Sequence, residues 1–325
     1  MSPEETALRF VQVFLEFENY FFFSVTALCC YDYVLTLDRE IKFIWKTELS
    51  FATSLYYAFR YSALFNTIMV LLTRIAWPSW QSNWVGTCGV VLRVQMVLDI
   101  IVLVSATIFA ALRVYAIFSR NKWMFGLVFL SGIINPAISI YIFMLSLPGI
   151  HAVMSFQACS FTIVGNRSSY ESWMMAARAA SLVSDGLVLT LTCMKTVRMR
   201  DSEFITSFLG SSLKDILLRD TVLCFAFLCV INVIGIATGR LPEFIDIWQT
   251  WTAILTSVLL SRLALDLREV SATEFDTEGT FYPAPYDPDL SHEEEVVVET
   301  SFGELDSVVT GLSSFAYNVA PLSTK

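Results

Sequence analysis

Histidine is almost absent from this chain, His151 and His292 being the only two. No cluster of imidazoles can hold a catalytic metal, and the H-E-x-x-H, G-x-S-x-G, phosphate-loop and G-x-G-x-x-G patterns are missing too. Acids alone can move protons, but no two carboxylates inside an apolar run stand within one helical turn of each other. The expectation is a protein with no enzymatic activity, no metal and no cofactor. Charge is scarce as well: 16% of the residues are charged against 55% hydrophobic, with 26 Phe and 8 Trp. A soluble domain of this size could not carry that balance in water, so a lipid bilayer is the expected solvent.

Lys and Arg are missing in turn from residues 269–324, which hold twelve Asp and Glu. The formal charge of −9 therefore belongs to one appendage, because residues 1–268 carry 20 basic and 18 acidic side chains, a balance of +2. Neither part offers the basic surface that nucleic acid needs. The segment Met1–Asn19 has one Arg and four Glu and lacks the cationic start of a cleavable signal peptide, so the first apolar run is expected to be an uncleaved signal anchor.

What is present is a series of long apolar runs. A helix crossing hydrocarbon needs about 20 mostly apolar residues. Seven segments qualify, over residues 17–37, 49–72, 94–118, 124–147, 173–194, 216–237 and 245–265. Strands of a barrel would alternate polar and apolar positions, and these runs do not. The expected fold is all-α: a polytopic membrane protein of seven transmembrane helices forming a receptor-like bundle over residues 17–268. Residues 1–16 are read as an extracellular N-terminus and residues 269–325 as a disordered acidic tail, since Pro283, Pro285 and Pro288 alternate there with acids and little surface can be buried.

The distribution of Lys and Arg orients the bundle. The turns that share one side hold thirteen: Arg39, Lys42, Lys46, Arg113, Arg120, Lys122, Lys195, Arg198, Arg200, Lys214, Arg219, Arg262 and Arg268. The other side holds five, Arg9, Arg74, Arg93, Arg167 and Arg240. By the positive-inside rule the N-terminus is outside and the C-terminus in the cytosol. Trp77, Trp80, Trp84, Trp123, Trp173 and Trp248 fall near span ends, where aromatic rings favour the headgroup zone. Asn166-Arg167-Ser168 is a glycosylation sequon in the outer connection between spans four and five. Cys88 and Cys159 are the two cysteines outside the spans, both in an oxidising place where a disulfide is expected. Between spans five and six, residues 203–209 have the spacing of a short interfacial helix or of an irregular loop, and Ser212 with Asp215 has the form of a capping box.

Ionisable groups inside a span need partners. Asp32 lies about 8 Å from the inner end of span one and Arg60 about 16 Å from that of span two, at ~1.5 Å per residue. Helical side chains lean toward their own N-terminus, so in antiparallel neighbours these two converge, and an Asp32–Arg60 ion pair is expected. Asp99 and Arg178 lie at equal depth from the outer ends of their spans, and Asp185 is on the same face as Arg178. These three are the candidates for a polar ligand pocket open to the outside, or for a purely structural charge network.

The stretch Tyr31-Asp32-Tyr33-Val34-Leu35-Thr36-Leu37, followed by Glu40-Ile41, Ile44-Trp45 and Arg60-Tyr61, resembles a fungal seven-span membrane family, domain of unknown function 6533. Further stretches at the cytoplasmic face look similar: Leu112-Arg113-Val114-Tyr115-Ala116, Leu217-Leu218-Arg219-Asp220, and Ser261-Arg262-Leu263-Ala264-Leu265-Asp266-Leu267-Arg268. The chain departs from the family pattern at Thr221 and at Ala58-Phe59. The resemblance implies the architecture and brings no activity, ligand or catalytic residue. The layout is also similar to that of a G-protein-coupled receptor, without its Asp-Arg-Tyr or Asn-Pro-x-x-Tyr sequences. Three functions follow: a receptor-like signalling protein with a cytoplasmic partner on its inner loops and tail, a transporter or lipid-handling protein, and a scaffold of the plasma or secretory-pathway membrane.

Overall fold

The computed structural model describes residues 3–47, 50–74, 85–118, 121–153, 156–163, 167–203, 211–238 and 244–279. In chain order its elements are α1 (Pro3–Phe43), α2 (Phe51–Arg74), α3 (Val85–Ile117), α4 (Lys122–Gly132), α5 (Ile134–Leu145), β1 (Ser146–Val153), β2 (Phe156–Ile163), α6 (Arg167–Glu203), α7 (Ser211–Thr238) and α8 (Phe244–Gly279). Among the described residues seven helices are long and apolar enough to cross a membrane, over residues 16–43, 51–73, 88–117, 122–145, 169–195, 221–238 and 247–269. The fourth is built from α4 and α5 together.

Helices run beyond the expected spans. α1 begins at Pro3, although its membrane span starts at Glu16, close to the expected residue 17, and proline at the first helical position gives up only an N–H that has no helical partner there. α8 runs past Arg268 to Gly279, because residues 269–278 contain neither Pro nor Gly to stop it. The helical part of the chain therefore overlaps the expected tail, and residues 280–325 lie outside the described residues.

The break in the fourth span has a local cause. Pro136 has no N–H to give to the carbonyl of Gly132, and its ring crowds the preceding turn, so the helix is interrupted at Ile133. The freed Gly132 carbonyl is approached by the Thr107 hydroxyl of α3 at 3.4 Å. Gly132 permits that contact, since a Cβ there would sit 2.6 Å from Thr107 Cγ2. Beyond α5 the chain forms an antiparallel hairpin with Ser146 opposite Ile163 and Val153 opposite Phe156. The ladder satisfies backbone groups that a bare loop would leave to solvent. Arg93 of α3 ties the hairpin down, donating to the carbonyls of Phe143 and Ser146 with its guanidinium 4.5 Å from the Phe143 ring.

α8 carries the most buried span among the described residues. It packs against α1, α2, α3 and α7, and 67% of its span is buried against 28% for the fourth and fifth spans. Large apolar side chains such as Val34, Met144, Trp123 and Val183 face outward, as hydrocarbon permits, while polar residues turn in. The main apolar core joins Tyr56 and Phe59 of α2, Ala110, Ala111 and Val114 of α3, Phe225 and Leu228 of α7, and Leu260, Leu263 and Ala264 of α8. We call the end at which α1, α3, α6 and α8 finish the basic end, and the opposite one the hairpin end.

Candidate functional site

Asp32, Thr36 and Glu40 recur every fourth residue and so share one face of α1. All three are buried, and that face meets Arg60 of α2, which is 4% exposed. Arg60 Nε lies 2.8 Å from Glu40 Oε2, Nη1 lies 3.9 Å from Asp32 Oδ2, and Nη2 donates to Thr36 Oγ1 at 2.6 Å. The rings of Tyr33 and Tyr56 stand 5.2 and 5.6 Å from the guanidinium. Glu40 Oε1 accepts from the Tyr61 hydroxyl at 2.7 Å and from Trp45 Nε1 at 3.2 Å. Asp32 and Arg60 thus meet, but Glu40 is the nearer anion. Its role follows from α1 running to Phe43, which keeps Glu40 on the helix and on the polar face.

The closest cation to Asp32 comes from α8, whose Arg262 Nε donates to Asp32 Oδ1 at 2.6 Å. Farther along α8, Asp266 and Glu269 lie 2.6 and 2.5 Å from Arg39 Nη2. Arg268 donates to the Phe43 carbonyl at 3.2 Å, to Thr47 Oγ1 at 2.6 Å and to Thr53 Oγ1 at 2.5 Å. Four cations, Arg39, Arg60, Arg262 and Arg268, are thereby set among four anions, Asp32, Glu40, Asp266 and Glu269. The network clamps the basic end of α8 to α1 and α2. Arg113 of α3 stands apart and donates to Thr221 Oγ1 of α7.

Asp99, Arg178 and Asp185 do not gather into one pocket. Asp99 accepts from Asn66 Nδ2 at 2.6 Å, between α2 and α3, and Asp185 from Asn232 Nδ2 at 2.9 Å, between α6 and α7. Each acid takes an amide on a neighbouring helix, a partner that sequence depth alone does not reveal. Arg178 is buried and lines a crevice with Leu103, Asn135, Ser181, Asn232, Gln249 and Thr252, in the hairpin half of the bundle. The crevice has room for about one water molecule. Asn135 Nδ2 donates to Ser181 Oγ at 2.6 Å on its wall. Gly235 makes space for the guanidinium, since a Cβ there would lie 2.9 Å from Arg178 Nη1.

Cys88 is disulfide-bonded, while Cys29, Cys30, Cys193, Cys224 and Cys229 are free thiols. The side chains of Cys159, Arg219 and Asp220, the sequon at Asn166, the ring positions Trp77, Trp80 and Trp84, and residues 204–210 lie outside the described residues, as do the side chains of the Ser212–Asp215 box. Among the described residues no group of three or more His, Cys, Asp or Glu is placed to hold a metal ion. The site residues that the sequence reading passed over are Glu40, Thr36, Tyr61, Arg39 and Asn66. The four-residue spacing of Asp32, Thr36 and Glu40 was the available signal for the first two.

Residues 20–65 match a family described as a family of unknown function, DUF6533, a segment that holds Asp32, Thr36, Glu40 and Arg60 together. No curated protein matches the chain.

Proposed function

Starting from seven spans and a matched segment that carries the Arg60 cluster, we propose that this chain is a receptor-like signalling protein of the plasma or secretory-pathway membrane, with its N-terminus outside and its basic end in the cytosol. The excess of Lys and Arg at that end supports the orientation. On this reading Cys88 pairs with Cys159, and Asn166 carries a glycan, both on the outer face. No enzymatic step belongs to the proposal.

One observation carries it. α8 takes part both in the crevice, through Gln249 and Thr252, and in the clamp, through Arg262, Asp266 and Arg268. The Arg39, Arg60 and Arg262 ion pairs all join α1, α2 and α8. A ligand that widens the crevice thus acts on the same rigid element whose far end is held by a countable set of polar contacts. That is the arrangement a two-state transmembrane switch requires. The acidic tail and the basic inner loops then serve as the surface for a cytosolic signalling protein.

The test uses the full chain in lipid nanodiscs with a purified G-protein α subunit. Arg262→Gln, which loosens the clamp at Asp32, is expected to raise binding of the α subunit over the wild-type chain. A transporter would instead show solute flux through reconstituted vesicles that Arg178→Gln abolishes. Substitutions that alter only thermal stability, with neither binding nor flux changed, would leave the scaffold reading and overturn ours.

A further inference from the structure

Counterions at the basic end are unevenly shared. A single nitrogen of Arg39, Nη2, holds two carboxylates, Asp266 at 2.6 Å and Glu269 at 2.5 Å. Among the described residues Arg113 of α3 holds none: it donates once to Thr221, while its Nε and Nη1 are buried with no hydrogen-bond partner there. An enclosed guanidinium with idle donors is a costly arrangement, because its lost hydration is not replaced. Among the described residues Asp266 is the carboxylate whose charge acts on Arg113. The two helices are in contact there, Ala110 and Val114 of α3 sharing a core with Leu263 and Ala264 of α8. Asp266 follows Leu263 by three residues and so stands on the same side of α8.

We propose that Asp266 is an exchangeable counterion, paired with Arg39 of α1 in the arrangement described and with Arg113 of α3 in a second one. Glu269 stays on Arg39 through the exchange, so no charge on α1 is orphaned. The idle guanidinium on α3 gains a carboxylate. Since α8 packs on both α1 and α3, the exchange turns its basic end from one toward the other. Such a movement is one that a signalling switch would use, yet the proposal stands without that reading, because its test measures helix spacing and pair coupling in the purified chain alone.

Two measurements in nanodiscs decide it. Spin labels carried on non-canonical residues at positions 42, 122 and 271 leave the native cysteines intact and report α8 against α1 and against the start of α4. Arg39→Gln is expected to lengthen the 42–271 distance and shorten the 122–271 distance. A double-mutant cycle of Arg113→Gln with Asp266→Asn, read by reversible unfolding, is expected to show weak coupling, about twofold, in the wild-type background and roughly tenfold coupling in Arg39→Gln. Coupling of equal size in both backgrounds would mean a static triad and overturn the exchange. So would unchanged distances in Arg39→Gln, an arm that needs no change at Arg113. If Arg113→Gln does not fold, Arg113→Lys replaces it, keeping the charge and losing the fork, with the same two outcomes.

Discussion

Replacing Glu40 with Gln preserves the shape of a fully buried side chain, deletes its charge and turns an amide NH2 toward Arg60 Nε in place of Oε2. The amide still offers an acceptor to the Tyr61 hydroxyl and Trp45 Nε1, so those contacts at 2.7 and 3.2 Å survive. What is lost is the anion 2.8 Å from Arg60 Nε. Removing one partner of a buried pair costs about 3–5 kcal/mol, chiefly because the remaining charge is stranded. Arg60 is only partly stranded, since Asp32 stays 3.9 Å away, Thr36 still accepts at 2.6 Å, and two tyrosine rings face the guanidinium. The expected loss is therefore at the low end, about 3 kcal/mol, or roughly a hundredfold in the unfolding equilibrium. The double variant Glu40→Gln with Arg60→Met removes both charges. It leaves Asp32 balanced by Arg262 at 2.6 Å and is expected to return to within about 1 kcal/mol of the wild-type chain. Reversible unfolding by SDS in maltoside micelles measures the wild-type chain, the two single variants Glu40→Gln and Arg60→Met, and the double variant. A loss below about 0.5 kcal/mol in Glu40→Gln, or a double variant whose cost is the sum of the singles, would refute the reasoning.

Other substitutions separate the forces at work. Arg39→Gln breaks pairs that are about one-third exposed, so it should cost no more than about 1 kcal/mol and the cost should shrink in high salt, whereas that of Glu40→Gln should not; unfolding at two ionic strengths checks this. Gly132→Ala places a methyl 2.6 Å from Thr107 Cγ2 and should cost about 1–3 kcal/mol, with Thr107→Ser recovering most of it in the double variant. Gly235→Ala meets the end of the Arg178 side chain, which can shift, and should cost less than Gly132→Ala in the same assay. Pro136→Ala restores an N–H for the Gly132 carbonyl and should slow amide exchange at the flanking Ile133 and Ala137 relative to the wild-type chain without unfolding it, as read by hydrogen–deuterium exchange.

Much of the architecture was legible because a bilayer imposes a length and a composition on every crossing helix, and seven runs meet both. The span ends were less so. Charged residues at Asp38, Arg39 and Glu40 suggested that span one stops at Leu37, but the helix continues to Phe43, with Arg39 and Glu40 finding partners on α8 and α2. The hairpin of Ser146–Ile163 left no clear mark, since Pro148 and Gly149 stand inside its first strand, where both residue types count against a strand. The encounter of Asp32 with Arg60 could be derived from depth and side-chain lean, two quantities that a helix fixes by itself.

Depth says nothing of azimuth, and there the tertiary structure decided. Asp99 and Arg178 sit at matching heights and Asp185 shares the Arg178 face of α6, yet the acids turn to Asn66 and Asn232 and Arg178 is left to the crevice. Which helix carries the most buried span was likewise undetermined, and so was the choice of α8 as the bearer of Arg262, Asp266 and Arg268 for α1 and α2. By itself the sequence determined the solvent, the number of crossings and the charge at each height, because these follow from hydrophobicity and a fixed rise per residue. The packing of the helices decided which charges meet, because the angle at which each helix faces its neighbours is set by close-packed side chains from every part of the chain at once.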